Sequence, residues 1–174
     1  MRTLEERALA LLREHGIAEP AVPIHELAEK LGAEIREEPG DPDLSGMLFR
    51  DGRSIVIGVN TTHHVNRQRF TIAHEIGHLV LHRNDVYVDT VHRRDERASL
   101  GTDDEEIEAN QFAAALLMPI SFLRRDLENG LVNVSDVHSS DDQTLRDLAE
   151  RYEVSPQAMT LRLKNLGILP PLEL

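Results

Sequence analysis

Two histidines flank a glutamate in the run His74-Glu75-Ile76-Gly77-His78, near the middle of a 174-residue chain. On a helix of about 100° per residue, His78 lies roughly 40° round from His74 and one turn further on. Both imidazoles can then meet one ion, and two neutral imidazoles suit zinc. Glu75 points about 100° away from His74. It can reach a water on that ion without being a ligand, and so take the water's proton as attack begins. The chain has no cysteine. Thiolate sites and disulfides are therefore excluded, and any metal is held by His, Asp and Glu.

Catalytic zinc takes three protein ligands and keeps one position open. The third is sought in the acidic run Glu105-Glu106-Ile107-Glu108. Glu106 is favoured, because Asn110 follows one turn later on the same face and can hydrogen-bond a ligand histidine from outside. Glu105 shares a stripe with Ala109, Phe112 and Leu116, which reads as core. Glu108 turns about 160° away from Glu106. Acids in a first helical turn are also favoured by the helix dipole alone, so all three remain candidates. His82 lies two turns past His74, about 12 Å along the axis. That is too far for a ligand on the same straight helix, and His82 reads better as a structural or outer-shell residue. His63 and His64 precede the helix on a loop, and His92 sits with Arg93 and Arg94 in a charged link. His138 and Tyr152 are candidate donors to a tetrahedral oxyanion.

The elements that must position these residues follow from periodicity and punctuation. Leu4, Ala8, Leu11 and Leu12 fall at helical spacing before Gly16, and a short helix covers 23–32. Ala33 to Arg36 reads as a strand and Glu37 to Ser45 as a loop. Met47 to Arg50 and Ser54 to Val59 form a hairpin about Asp51-Gly52. A long helix runs from Val65 to His82, with Ile72, Ala73, Ile76, Leu79 and Val80 as its buried face and the histidines at the opposite edge. Val86 to Val88 reads as a short strand inside the charged link 83–104. Helices follow at Asp104 to Met118, Ser121 to Asn129, Thr144 to Tyr152 and Pro156 to Leu166, with Val132 to Asp142 irregular. The sum is α+β, a helical protein with one small sheet and no linker, so 1–174 reads as a single domain.

The balance of 19 basic and 31 acidic residues, net charge -12, disfavours a phosphate footprint, and 3% aromatics offer few stacking platforms. The last two helices, within about 142–167, resemble part of a helix-turn-helix unit. Residues 141–174 nevertheless carry six acids against four bases, so direct nucleic-acid binding is not expected. The N-terminus does not read as a signal peptide, and the longest apolar run, Phe112 to Ile120, is too short to span a membrane. A cytoplasmic protein is expected.

Two longer stretches carry a family resemblance. Arg67-Gln68-Arg69-Phe70-Thr71-Ile72-Ala73-His74-Glu75-Ile76-Gly77-His78-Leu79-Val80-Leu81-His82 and Glu106-Ile107-Glu108-Ala109-Asn110-Gln111-Phe112-Ala113-Ala114-Ala115-Leu116-Leu117-Met118-Pro119 resemble the signatures of the ImmA/IrrE metallopeptidases. Ser45-Gly46 is similar to that family's hairpin, and the segment from Val154-Ser155 to Leu166-Gly167 to its helical tail. The resemblance implies a gluzincin-like fold with a small sheet beside the active-site helix. It implies His74, His78 and Glu106 as ligands, Glu75 as general base, and Asn110 beside the ligand shell. It also implies a helix-turn-helix repressor as protein substrate, and a minimal peptidase without a large sensor domain. One zinc per chain is expected, with manganese able to occupy the same donors. The reading is a zinc endopeptidase acting on a regulatory protein. Its alternative is a metal-containing module that sequesters a repressor without cutting it.

Overall fold

A computed structural model describes residues 3–90, 104–129 and 143–169. His92, His138, Gly130 and the segment Val132 to Asp142 lie outside the described residues. The chain falls into two compact units, Pro23–Ala113 and a second formed by Met1–Val22 with Ala114–Leu174.

Among the described residues the elements in chain order are α1 (Leu4–Glu14), α2 (Ile24–Lys30), β1 (Ala33–Glu38), β2 (Leu44–Arg50), β3 (Ile55–Asn60), α3 (Val65–Leu81), β4 (Val86–Thr90), α4 (Asp104–Leu117), α5 (Ile120–Glu128), α6 (Gln143–Tyr152) and α7 (Pro156–Asn165). In the unit Pro23–Ala113 the sheet order is β1-β3-β2-β4. β1 runs parallel to β3, while β2 is antiparallel to both β3 and β4. Asp51 closes the β2–β3 hairpin by accepting from the Arg53 and Ser54 amides, both at 2.9 Å. An α+β fold with one small sheet is thus present.

The segment from Glu37 to Ser45 departs from the loop expected there. Glu37 and Glu38 extend β1, where they register with Val59 and Asn60, and Leu44 and Ser45 already belong to β2. Backbone pairing with β3 outweighs the polar side chains. The pairing of β2 with β4 shifts register between Leu44 and Gly46. An extra residue at such a bulge turns consecutive side chains the same way, and Ser45 and Gly46 are both buried.

α3 packs on β2, β3 and α2. The inner sheet face carries the buried Leu48, Ile57 and Tyr87, while Met47, Phe49, Val86 and Val88 are exposed on the other face. The expected two-sided α3 is corrected by the structure. Every residue from Thr71 to His78 is buried, whereas Leu79 and Val80 are only half-buried. The sheet and α2 enclose α3, and α4 closes on it, so the histidines stand in the interior and not at a wet edge.

In the other unit, Thr3 and Glu6 form a reciprocal capping box at the start of α1. Such a box satisfies two otherwise orphaned amides. Arg162 on α7 donates to the Met118 carbonyl at 3.0 Å and to Glu5 Oε2 at 2.9 Å. Asp126 on α5 accepts from Arg151 Nε at 2.9 Å and from the Tyr152 hydroxyl at 2.8 Å. Among the described residues no helix is long and apolar enough to cross a membrane.

Candidate metal centre

Two glycines decide how closely the polar residues can gather. A Cβ on Gly77 would lie 3.1 Å from both Cα and the carbonyl oxygen of Ala109. The backbone of α4 therefore lies directly against α3 in the middle of the His-Glu-x-x-His run, which brings Glu106 over the two histidines. A Cβ on Gly46 would lie 2.3 Å from Thr71 Cγ2 and 3.3 Å from Glu75 Oε1. β2 thus approaches α3 where only a bare backbone fits, with the Glu75 carboxylate beside it.

His74 Nε2 and His78 Nε2 stand 3.0 Å apart, with the rings at 81° to one another. Glu106 spans the pair: Oε2 is 3.3 Å from His74 Nε2 and Oε1 is 3.3 Å from His78 Nε2. One donor atom from each of His74, His78 and Glu106 falls within 4.8 Å of the others, and all three residues are buried. Two ring nitrogens and a carboxylate meeting at one point suit zinc. Burial acts to raise the Glu106 carboxyl, but hydrogen bonds from His74 and His78 and their charge outweigh it and hold it well below the usual carboxylate range.

The far side of each ring is also engaged. His74 Nδ1 lies 3.1 Å from Asn110 Oδ1, and His78 Nδ1 lies 3.0 Å from His82 Nδ1. His82 Nε2 is 3.2 Å from Glu108 Oε2. A ligand histidine bonds metal through one nitrogen and gives the N–H of the other to a neighbour. Both rings can do so here, because each Nδ1 faces an atom able to accept. The donor set therefore fits a divalent metal.

The other two candidate acids of α4, Glu105 and Glu108, have partners of their own. Glu105 is half-buried and not part of the apolar stripe expected of it. Its Oε2 accepts from the Tyr87 hydroxyl at 3.0 Å and from Asn84 Nδ2 at 3.2 Å. Glu108 serves His82. His63 turns its Nε2 to the Pro42 carbonyl at 2.9 Å, and His64 caps α3 by accepting the Asn66 amide at 3.2 Å. Neither joins the cluster. A tyrosine has one O–H to donate, and Tyr152 gives it to Asp126, which leaves none for an oxyanion.

Tyr87 and Asp89 belong to the neighbourhood and were not singled out by sequence. The Tyr87 ring stacks on His78 at 3.9 Å between centroids and 20° between planes. Burial and then the bond to Glu105 push its phenol up to about 12, so it stays a neutral donor. Asp89 is buried, and a carboxylate oxygen of it lies within 4.8 Å of donor atoms of His74 and Glu75. An acid at an inward position of a strand is the signal that could have found it. That signal needs the strand's facing, which the sequence does not display.

Residues 28–164 match the profile of a peptidase family described as the IrrE N-terminal-like domain. The chain belongs to that family. It is 36% identical over 115 residues to the radiation response metalloprotease IrrE of Deinococcus radiodurans, a match covering 66% of this chain and 32% of that protein. The match thus spans about a third of the length of that relative. A Mycobacterium tuberculosis transcriptional regulator superposes with a TM-score of 0.61, covering 94% of this chain and 47% of that one. At 19% identity, that likeness is one of fold. A family of metallopeptidases implies a metal ion, and among the described residues the His74–His78–Glu106 cluster has donor chemistry that suits one.

Proposed function

We propose that this chain is a zinc-dependent endopeptidase of gluzincin-like type, its residues 1–174 serving one metallopeptidase function in the cytoplasm. Its substrate is a regulatory protein, a helix-turn-helix repressor, and it has no direct contact with nucleic acid. The observation that carries the reading is the meeting of His74 Nε2, His78 Nε2 and Glu106 at one buried point, with Glu75 beside the set but outside it. His74, His78 and Glu106 hold the metal. When bound, zinc supplies Lewis acidity, which polarises a peptide carbonyl and lowers the pKa of water. Glu75 takes the proton of the attacking water on its carboxylate and returns it to the amine leaving the scissile bond. The new C–O bond forms first, and the peptide C–N bond breaks once its nitrogen has received that proton. Asn110 Oδ1 accepts from His74 Nδ1 and keeps the Nε2 lone pair turned inward.

Glu75→Gln keeps the size and removes the base. Metal content and folding are expected to survive, and cleavage of the repressor encoded beside this protein to fall by at least about a hundredfold. A gel-based cleavage assay run beside a binding titration with the same repressor measures both. Equal relief of repression in cells by wild type and Glu75→Gln would replace proteolysis with sequestration.

A further inference from the structure

We infer that His82 and Glu108 are positioning residues, which act through a histidine-to-histidine hydrogen-bond relay to set the tautomer of His78. This rests on the reading of His78 as a metal ligand. The relay has one consistent direction when His78 Nε2 must offer a lone pair. The ring proton of His78 is then on Nδ1, and it is given to His82 Nδ1 across 3.0 Å. His82 Nδ1 can accept only if its own proton is on Nε2. That Nε2–H points at Glu108 Oε2, 3.2 Å away. A carboxylate at the outer end selects this arrangement, because it accepts and has nothing to donate. With the opposite tautomers, a proton on His78 Nε2 would face the metal position.

Four further contacts hold the relay in place. The His82 backbone ends α3, donating to the His78 carbonyl at 3.0 Å. Arg50, at the end of β2, grips the same turn: its Nη2 donates to the His82 carbonyl at 2.7 Å and its Nε to the Asn84 carbonyl at 3.0 Å. Tyr87 stacks flat on His78 and prevents the ring from turning out of the line. His82 itself is buried, while Glu108 is half exposed at its outer end. The two ligand histidines are therefore oriented differently: His74 by one amide oxygen, His78 through a second imidazole to a carboxylate at the surface.

Zinc affinity, read by competition with a chromophoric chelator, tests the relay without using activity. His82→Phe fills the space and cannot accept, so affinity should fall by about ten- to a hundredfold. His82→Gln retains an acceptor oxygen and should recover part of that loss. Glu108→Gln should cost less than His82→Phe, because its carboxylate is partly solvated. Nitrogen-15 spectra of the histidine rings in the zinc-loaded wild type should show His78 protonated at Nδ1 and His82 at Nε2. This reading needs no variant and decides the matter if His82→Phe fails to fold. Wild-type affinity in folded His82→Phe, or a His82 ring protonated at Nδ1, overturns the relay. If His78→Ala also binds zinc unchanged, the metal-site reading itself has failed.

Discussion

The two units bury polar groups in opposite styles. In the unit holding α1 and α7, both buried charges among the described residues, Asp126 and Arg162, meet a complement. Arg162 is matched by Glu5 and the Met118 carbonyl, and Asp126 by Arg151 and Tyr152. Donors face acceptors at ordinary hydrogen-bond distances, so the network is closed. In the unit Pro23–Ala113, His74, His78 and Glu106 turn their acceptor atoms toward one another instead. When both ring protons sit on Nδ1, the Nε2 lone pairs and the carboxylate all point at one place. A closed network holds a fold together, whereas convergent acceptors store a demand for a cation.

The sharpest way to break this contrast is Glu106→Ala. Metal binding should be lost, while Glu105→Ala and Glu108→Ala should stay far closer to wild type. Elemental analysis of the purified variants checks it. Metal loss in Glu105→Ala with retention in Glu106→Ala would move the site.

Arg162→Ala is expected to behave in the reverse manner. It strands the Met118 carbonyl and the Glu5 carboxylate, and should cost about 2–3 kcal/mol in urea unfolding. Glu5 is partly exposed, which keeps the figure at the low end of what breaking a buried pair costs. Zinc binding per folded molecule should be unchanged.

Gly77→Ala should touch both properties. Its Cβ would press on the Ala109 backbone, so α4 must retreat by a few tenths of an ångström. A stability loss of about 1–2 kcal/mol is expected, with weakened zinc affinity because Glu106 rides on α4. A chelator competition and a thermal melt on the same sample separate the two effects.

Tyr152→Phe is the smallest change, at about 1 kcal/mol near neutral pH, because Asp126 keeps its bond from Arg151. Burial and then the bond to Asp126 push the Tyr152 phenol above its ordinary range. Above about pH 10 an unfolded tyrosine loses its proton while the folded one keeps it. The unfolded state then binds fewer protons, so stability falls as pH rises. The phenylalanine variant should lose that part of the alkaline decline, as measured by denaturant midpoints from pH 9 upward.

Much of this was legible in the residues. Asp51-Gly52 between apolar runs marked the β2–β3 hairpin, and a helix was expected at Thr144 to Tyr152, where Leu145, Leu148, Ala149 and Tyr152 are buried. Asn110 one turn after Glu106 pointed to the acid that stands over His74 and His78. The misreadings share one cause. Local pattern cannot report how many neighbours an element has. α3 was read as two-sided, yet the sheet, α2 and α4 bury its middle all round. Glu37 and Glu38 looked like loop because their side chains are polar, but strands form by backbone pairing with β3. Glu105 looked like core from its stripe, although Tyr87 and Asn84 give it a polar setting.

By itself, the sequence determined which side chains share a helical face and which acid shares one with Asn110, because helical geometry converts spacing into direction without reference to the rest of the chain. Only the tertiary structure decided that β4 brings Tyr87 onto His78 and Asp89 near Glu75, and that Glu108 reaches His82. Those meetings join α3 to β4 and α4 in one folded unit. They depend on how closely backbones can approach at Gly46 and Gly77, a property of packed surfaces that no local periodicity encodes.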